Sequence, residues 1–324
     1  MINPLYLEIA DELELGTLAY INVIQSLWSG YGELVRLTCT HKSVIIKHVR
    51  LPKTSEHPRG WNSDRSHQRK LHSYEVEVNW YEAFSDTVDE RCRIPQGLKC
   101  FQGEDEWLIV MEDLAAAGFT STVEDADTDH LEAALHWLAN FHARYLGTHS
   151  ELLWESGTYW HLQTRPDELE ALDDQRLKAN AACIDDALNQ TTYRTIVHGD
   201  AKLANFCFTE DGTRAAAVDF QYVGHGCGMK DVAYFMSSAV EPEDCAKMET
   251  WVLDTYFVAL ENAIRHYHPY LDSTEIEREW RPLFAVAWAD FQRFVKGWSP
   301  GHYKINAYSE ALTERALDTL ASKE

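Results

Sequence analysis

The residues best suited to chemistry lie in one short segment with the spacing His198-x-Asp200-x-Lys202-x-x-Asn205, and Asp219 follows Asn205 by fourteen positions. This set would suit phosphoryl transfer, whose loose and highly charged transition state needs positioning and charge neutralisation more than covalent chemistry. A carboxylate beside an acceptor hydroxyl can orient it and take its proton, and Asp200 is the candidate. Mg²⁺ prefers oxygen ligands, so the Asn205 amide oxygen and the Asp219 carboxylate are the candidate metal ligands.

These motifs resemble those of a known group of enzymes. His198, Asp200, Asn205 and Asp219-Phe220 resemble the catalytic and metal-binding motifs of the protein-kinase-like fold. Gly199, directly after the histidine, gives the motif the form that resembles the aminoglycoside phosphotransferase/choline kinase superfamily. Three further segments resemble most its ecdysteroid-kinase-like branch: 112–114, Glu77-x-x-Trp80-Tyr81 and 227–235. The resemblance covers roughly residues 20–240 in motif order and implies a kinase that uses ATP and Mg²⁺.

Lys202 is assigned by this resemblance alone. It matches the lysine two residues after the catalytic aspartate of protein kinases, which implies a contact with the γ-phosphate or the acceptor. A solvent-facing lysine is the alternative. For His198 taken by itself, the alternative to a catalytic-loop role is a histidine packed in the core.

The resemblance also implies a phosphate-binding lysine upstream. Residues 44–47 form an apolar strand that ends in Lys47, similar to the V-A-I-K strand of kinases. Glu77, on the helix that follows, matches the family pattern and would orient this lysine. The alternatives are a strand lysine that extends into solvent and a glutamate on a solvated helix face.

Two backbone segments complete the implied ATP site. Gly30 and Gly32 lie in a loop whose amides would approach the phosphates, but Val35 occupies the third glycine position of G-x-G-x-x-G, so an ordinary hairpin turn remains the alternative. The backbone at 111–114, including Glu112 and Leu114, is the expected hinge that recognises adenine.

Two segments close the catalytic region. Asp231 resembles an aspartate at a helix start that braces the catalytic loop, either through loop amides or as an ordinary N-cap. The glycine-containing segment 224–228 lacks dinucleotide-binding spacing, and we interpret it as flexible.

The acceptor is expected to be a small hydroxylated molecule. Only eleven residues separate Asp219 from Asp231 and no A-P-E follows, which leaves little chain to hold a peptide. The aromatic-rich stretch 288–308 is the expected pocket wall, with Phe291 and Phe294 as core and 298–302 as the exposed part. Aminoglycosides, choline-like amines, sugars and steroid alcohols remain open. A nucleotide-binding pseudokinase or scaffold and a nucleotidyltransferase are the alternative functions.

The elements that position these residues change along the chain. Residues 17–51 predict antiparallel strands, a helix is expected from Ser73 to Phe84, and a hairpin spans 98–111. Helical periodicity dominates from 131 onwards, including a helix over 167–190, apart from a short hairpin over 205–220. The segregation indicates an α+β fold. With the resemblance, it predicts a nucleotide-binding lobe at 1–114, with one main helix, and a larger, mainly helical catalytic and substrate-binding lobe at 115–324.

Composition restricts the partners and the compartment. The 324 residues include 52 Asp and Glu against 29 Lys and Arg, a net charge of −23, which argues against nucleic acid and anionic membranes. The N-terminus lacks a secretory signal pattern, no apolar run could span a bilayer, and seven scattered cysteines fit a cytoplasmic protein. We interpret 52–72 as a basic polar loop. No oligomeric state is predicted.

Overall fold

The computed structural model describes residues 3–27, 30–51 and 64–322 and divides into two compact units. The first comprises residues 1–88 and 94–120, and the second comprises 89–93 and 121–324. The predicted α+β class is confirmed, because the first unit contains a five-stranded antiparallel sheet and the second is mainly helical. No helix in the described ranges is long and apolar enough to cross a membrane.

The first unit is a sheet with a helix on each face. Its helices are α1 (Pro4–Glu12) and α2 (Asp64–Ala83), and its strands are β1 (Leu18–Ser26), β2 (Gly32–Cys39), β3 (Ser43–Arg50), β4 (Gly97–Gln102) and β5 (Glu106–Glu112), in the order β1-β2-β3-β5-β4. Alternate residues of the central strands, such as Val35, Val44 and Ile46, pack with Ile9 of α1 in an apolar core.

In the second unit, helices surround two small pairs of β-strands and their turns. Its helices are α3 (Thr128–Arg144), α4 (Pro166–Glu170), α5 (Gln175–Ala179), α6 (Ala181–Asn189), α7 (Met229–Ala239), α8 (Pro242–Tyr267), α9 (Ser273–Trp280), α10 (Leu283–Trp298) and α11 (Ala307–Ala321). Its strands are β6 (Thr195–Val197), β7 (Phe206–Phe208), β8 (Ala215–Ala217) and β9 (Gly224–Gly226), and β6 pairs with β9 while β7 pairs with β8.

The start of α2 differs from the prediction. The helix includes residues 64–72, which we assigned to a basic loop, and residues 52–63 of that loop lie outside the described residues. Ser73 is therefore not an N-cap: it lies within the helix and its hydroxyl donates to the carbonyl of Lys70 at 2.7 Å. Residues 64–72 contain neither proline nor glycine, and their charged side chains are compatible with an exposed helix face. A polar sequence alone therefore does not distinguish a loop from an exposed helix.

The single helix expected over 167–190 is also wrong, since the chain forms α4, α5 and α6 there. Leu172 is buried between α4 and α5, and the Asp174 carboxylate accepts the Leu177 amide at 3.0 Å, which begins a new helix. Helical periodicity continues across these breaks because each short helix buries one face, so periodicity did not reveal the boundaries.

The segment interpreted as flexible is instead a buried strand. Gly224–Gly226 forms β9 and pairs with β6. A Cβ at Gly224 would lie 2.4 Å from the Trp154 carbonyl oxygen, so the glycine permits close packing of two chain segments. These glycines therefore have a packing role.

Candidate active site

The strand β6 leads directly into the segment that contains Asp200. Gly199 has a φ of +78°, and a Cβ there would lie 2.0 Å from the Tyr222 carbonyl oxygen. A side chain would therefore meet both an unfavourable backbone conformation and a fixed neighbour. Glycine at this position lets the chain turn sharply between His198 and Asp200.

Asp231 braces this loop from the first turn of α7. Its carboxylate accepts the amides of His198 at 2.6 Å and Gly199 at 2.9 Å, and it lies 3.1 Å from Nε2 of His142. Asp231 is completely buried. Since α7 begins at Met229 with Gly228 as its N-cap, Asp231 acts through the loop amides, which is one of the two roles expected for it.

His198 is a buried histidine that supports the loop. Its Nε2 lies 3.0 Å from the carbonyl oxygen of Val218, and its Nδ1 lies 3.2 Å from the Asp200 amide nitrogen. An imidazole protonated at Nε2 alone satisfies both contacts. Burial lowers the pKa of His198, which favours this neutral form. The ring also packs on Phe220 at a centroid distance of 4.6 Å.

Asp200 lies at the centre of the polar contacts. Its Oδ2 accepts from Nζ of Lys202 at 3.1 Å and from Nδ2 of Asn205 at 3.0 Å. Burial is the largest cause that raises the pKa of Asp200, the charge of Asp219 raises it further, and Lys202 and His198 oppose the shift. A raised pKa makes this carboxylate a stronger proton acceptor than an exposed aspartate.

Asn205 and Asp219 are brought together by the β7–β8 hairpin. Phe206 pairs with Ala217, and the Val218 amide donates to the Asn205 carbonyl at 2.9 Å. Asp219 follows with a φ of +70°, which is rare for residues other than glycine. Such strain is retained only where the surroundings enforce it.

This pair fits a Mg²⁺ site by the chemistry of its donors. The amide nitrogen of Asn205 donates to Asp200, so its amide oxygen is the atom that remains for a cation. A carboxylate and an amide oxygen are hard ligands, and Mg²⁺ completes its shell with water and phosphate oxygens. In the described part of the chain there is no cluster of three or more His, Cys, Asp or Glu side chains suited to a metal ion.

Lys202 contacts Asp200 and is also partly open to solvent. Its side chain is 38% exposed, against 9% for Asp200. The ion pair draws the ammonium towards the carboxylate, whereas the exposure leaves room for a ligand. Its role towards phosphate or acceptor stays a prediction.

In the first unit, Lys47 and Glu77 form the expected pair. The side chain of Lys47, on β3, points away from the core of α1, because Ile46 and Val44 occupy that core by strand alternation. Its Nζ lies 2.9 Å from Oε1 and 2.7 Å from Oε2 of Glu77 on α2, and both side chains are buried. A rigid strand and helix thus hold a lysine of the kind that binds polyphosphates as a point charge.

The predicted hinge is held by the side chain of its middle residue, Asp113, for which no separate role was predicted from the sequence. Glu112 ends β5, and Leu114 begins a 3₁₀ turn, whose first amides have no partner within the turn. Asp113 between them accepts from Nε of Arg36 at 2.8 Å, from Oγ of Ser43 at 2.8 Å and from the Ala115 amide at 3.2 Å. An aspartate just before a run of alanines was the available signal for an N-cap.

Gly30 and Gly32 occupy the connection between β1 and β2, of which residues 28 and 29 lie outside the described residues. Gly30 has a φ of +75°, and a Cβ there would contact nothing within 4 Å. A Cβ at Gly32 would lie 2.0 Å from the His48 carbonyl oxygen. Gly32 therefore has a packing reason to be glycine, and the contact of either residue with phosphate stays a prediction.

Two tyrosines next to Asp200 were not selected from the sequence. The Tyr159 hydroxyl donates to the Tyr234 hydroxyl at 3.3 Å. Burial raises the pKa of Tyr234 well above its usual value, and the charge of Asp200 and a hydrogen bond to it contribute. The two hydroxyls are thus linked to each other close to the candidate base. Tyr234 lies one turn after Asp231 on α7, and this helical spacing was the signal that could have identified it.

The expected pocket wall is partly buried and partly exposed. Phe291 and Phe294 are buried, as are Trp288 and Asp290, whereas Trp298 is 39% and Tyr303 67% exposed. The helix α10 ends at Trp298, so the exposed aromatic residues lie at and beyond its end. Contacts with an acceptor stay a prediction for these residues.

A surface groove of about 770 Å³ shares no lining residue with this site. Its arginines are ion-paired: Arg278 with Glu275, Arg281 with Asp254 and Glu277, and Arg315 with Glu249. The groove therefore lacks the convergent catalytic groups found around Asp200.

Comparison with known proteins gives one matching family and several similar solved structures. A sequence model of a phosphotransferase enzyme family, APH, matches residues 49–273. A microcompartment-associated aminopropanol kinase is 12% identical with a TM-score of 0.51, covering 98% of this chain and 96% of that chain, which shows a shared fold. Choline kinase LicA from Streptococcus pneumoniae is 15% identical with a TM-score of 0.43, covering 99% and 100%. Aminoglycoside phosphotransferase APH(3'')-Id from Streptomyces rimosus, with ADP and streptomycin, is 16% identical with a TM-score of 0.44, covering 89% and 100%. No curated protein sequence matches significantly.

Proposed function

Because this chain belongs to the phosphotransferase enzyme family, we propose that it transfers the γ-phosphoryl group of ATP to a hydroxyl of a small molecule. Family membership makes the protein a small-molecule kinase and confirms the predicted aminoglycoside phosphotransferase/choline kinase superfamily. The ecdysteroid-kinase-like branch stays a prediction.

The contacts of Asp200 carry this proposal. In the proposed step the acceptor oxygen forms a bond to the γ-phosphorus, the bond to the β–γ bridging oxygen breaks, and ADP leaves. Asp200 orients the hydroxyl and takes its proton. The burial that raises the pKa of Asp200 supports this role, and the adjacent Lys202 ammonium would counter the charge on the transferred group.

Asn205 and Asp219 would hold Mg²⁺ through the amide oxygen and the carboxylate. When bound, the ion supplies neutralisation of phosphate charge. The hydrogen bond from Asn205 to Asp200 connects the proposed metal ligand to the proposed base. The position of the Asp200 carboxylate therefore depends on that of the Asn205 side chain.

The proposed nucleotide contacts come from the first unit. Lys47, oriented by Glu77, would bind the phosphates, and the amides near Gly30 and Gly32 would approach them. The backbone from Glu112 to Leu114 would bind adenine, with Asp113 fixing that segment to the sheet. The lysine in this position is preorganised, which lowers the entropic cost of binding a polyphosphate.

The proposed acceptor is a small hydroxylated molecule, and the proposed compartment is the cytoplasm. The solved kinases of choline and aminopropanol, and the streptomycin-bound enzyme, make small molecules the class to screen first. All seven cysteines are free thiols, in keeping with a reducing compartment.

The experiment is an ADP-release screen against alcohols, amino alcohols, sugars and sterols, with mass spectrometry of the product. We expect a gain of one phosphoryl group, and Asp200→Asn should lower kcat about 10²- to 10⁴-fold. Asp211→Asn, an exposed aspartate in the β7–β8 turn, is the matched control and should retain activity. Undiminished transfer by Asp200→Asn would remove Asp200 from the proposed mechanism. Nucleotide binding without transfer to any acceptor would indicate a pseudokinase.

A further inference from the structure

Lys304 places a second positive charge beside the candidate base. It lies between α10 and α11, where its Nζ donates to the Ser237 hydroxyl at 3.1 Å. The same Nζ lies over the ring of Tyr234, 5.0 Å from its centroid, and 5.3 Å from the ring centroid of Phe291. The charge of Asp200 helps to raise the pKa of Tyr234, so Lys304 and Asp200 both act on this side chain.

The ammonium of Lys304 lacks a close carboxylate partner. Among the described residues, no carboxylate oxygen lies within the 4.0 Å of Nζ that defines an ion pair. Burial lowers the pKa of Lys304 to about 8, while the charge of Asp200 acts in the opposite direction. An ammonium held in a partly buried site without a counter-ion is stabilised when an anionic ligand arrives.

The other groups around Lys304 do not neutralise it. Burial lowers the pKa of His302, and burial raises that of Cys245 to about 11, so both are uncharged at pH 7. Lys202 adds a positive charge, whose effect on the pKa of Lys304 is to lower it. Lys202 and Lys304 therefore place two positive charges near the carboxylates of Asp200 and Asp219, in a chain whose net charge is −23.

The side chains packed near Lys304 are largely aromatic. Phe294 and Trp298 stack with ring centroids 5.8 Å apart, and Trp298 lies 5.8 Å from the ring of His302. Tyr159 packs edge-on against Phe294 at 5.4 Å. Flat apolar surfaces of this kind suit the carbon skeleton of a ligand, and they strengthen a nearby charge interaction by excluding water.

From these contacts we propose that the acceptor is a hydroxylated organic anion, with its carboxylate or phosphate on Lys304 and its hydroxyl at Asp200. The inference rests on the proposed function, because it concerns the acceptor of that reaction. An amine cation in the same position would face Lys202 and Lys304 and would be repelled. An oxyanion would gain a charge-assisted hydrogen bond.

The test uses aryl alcohols that differ only in one substituent: 3-(hydroxymethyl)benzoate, 3-(hydroxymethyl)phenyl phosphate, 3-(hydroxymethyl)benzamide and 3-(hydroxymethyl)benzylamine. Binding to the full chain is measured by calorimetry with ADP and Mg²⁺, and transfer is measured with ATP. We expect both anions to bind about 10- to 100-fold more tightly than the amide, and the amine to bind most weakly. The benzoate and phosphate arms distinguish the two sources of oxyanion.

Lys304→Met should remove this preference for the anions, and Lys304→Arg should restore it. Lys247→Met, an exposed lysine on α8, is the control and should leave the preference unchanged. Raising the pH from 7 to 9 should weaken binding of the benzoate to the wild type, because Lys304 loses its proton near pH 8, and should not do so for Lys304→Arg. Thermal melting of each variant separates a loss of binding from a loss of fold.

Four outcomes would overturn the inference. They are equal binding of the anion and the amide, tighter binding of the amine, binding of none of the four compounds, and an anion preference that survives in Lys304→Met. Failure of the proposed function has a different signature. Anion binding that depends on Lys304, without any phosphorylated product, would leave the acceptor site in place and exclude the kinase reaction. Asp200→Asn should bind the benzoate and fail to phosphorylate it, which tests the two statements separately.

Discussion

The Lys47–Glu77 pair and the loop around Asp200 hold their charged groups in different ways. Lys47 and Glu77 project from a regular strand and a regular helix, and they meet directly across a buried contact. Asp200 lies in irregular chain next to Gly199 and near Asp219, both with positive φ. The loop keeps its shape because Asp231 accepts its amides and bulky rings pack under it.

The difference has a physical consequence. Regular elements satisfy their own backbone groups, so a functional side chain on them needs only a partner for its charge. An irregular loop leaves amides that another residue must accept, so its geometry depends on residues that never touch a substrate. Mutations should therefore be felt over a longer range at the loop than at the ion pair.

The largest effect should come from removing the loop brace by Asp231→Ala. The substitution strips an anionic acceptor from the amides of His198 and Gly199 in a completely buried site, and each such charged hydrogen bond contributes about 1.5–3 kcal/mol. We expect a loss of about 3–6 kcal/mol in the free energy of unfolding of the second unit. Urea unfolding combined with segment-resolved hydrogen exchange would measure it.

The control for this prediction is Asp254→Ala on α8, an exposed aspartate that pairs with Arg281. Its loss should change the free energy of unfolding by less than about 1 kcal/mol. A similar small effect for Asp231→Ala would mean that the loop amides find other acceptors, and the contrast between the two regions would disappear.

The next largest effect should come from Lys47→Met, which removes the ammonium that pairs with the buried Glu77 carboxylate. We expect the first unit to lose about 3–5 kcal/mol of unfolding free energy. In the double variant Lys47→Met with Glu77→Leu the cost should fall to about 1 kcal/mol or less, because two apolar side chains of similar size replace the pair. Protection of α2 and β3 in hydrogen exchange would report both results.

This double variant should nevertheless lose nucleotide affinity if Lys47 binds phosphate. Recovered stability with lost affinity would separate the structural contribution of the pair from its proposed contribution to ATP binding. A double variant as unstable as the single one would show that packing around the pair, and not its charge, holds this part of the sheet and helix together.

From the sequence we predicted most functional residues on regular strands and helices, but fewer of the residues that support the irregular loops. The strands around Lys47 followed from β-prone runs and the hairpin around Asn205 from its turn residues, and the fold class is confirmed. The joint placement of Asp200, Asn205 and Asp219 followed from motif order, although their catalytic roles stay predictions.

The missed features depend on long-range packing. Tyr159 and Lys304 are far from Asp200 in sequence, and neither belongs to a motif, so only the fold places them beside it. The glycines of β9 are a further example, because a glycine-rich segment is typical of a flexible loop and equally of a tightly packed strand. Only the contact with the Trp154 carbonyl, which is distant in the chain, distinguishes the two. Local sequence contains no information about such neighbours.

The smallest of the effects should come from Gly199→Ala, for which the chain offers a matched control. Gly199 has a φ of +78° and Gly147 a φ of +73°, but a Cβ would lie 2.0 Å from the Tyr222 carbonyl oxygen in the first case and contact nothing within 4 Å in the second. The pair therefore separates backbone strain from steric overlap. We expect about 1 kcal/mol of destabilisation for Gly147→Ala, from conformation alone, and about 2–4 kcal/mol for Gly199→Ala, from conformation and overlap together.

Measured by urea unfolding, equal costs at the two glycines would mean that the segment around Tyr222 moves aside at little cost, so that the loop around Asp200 is less constrained than its contacts suggest. A larger cost at Gly199 together with a fall in kcat would connect the packing beneath the loop to the position of Asp200. The catalytic loop would then depend on residues that never touch a substrate, unlike the Lys47–Glu77 pair. One methyl group added at Gly199 would be enough to displace the proposed base.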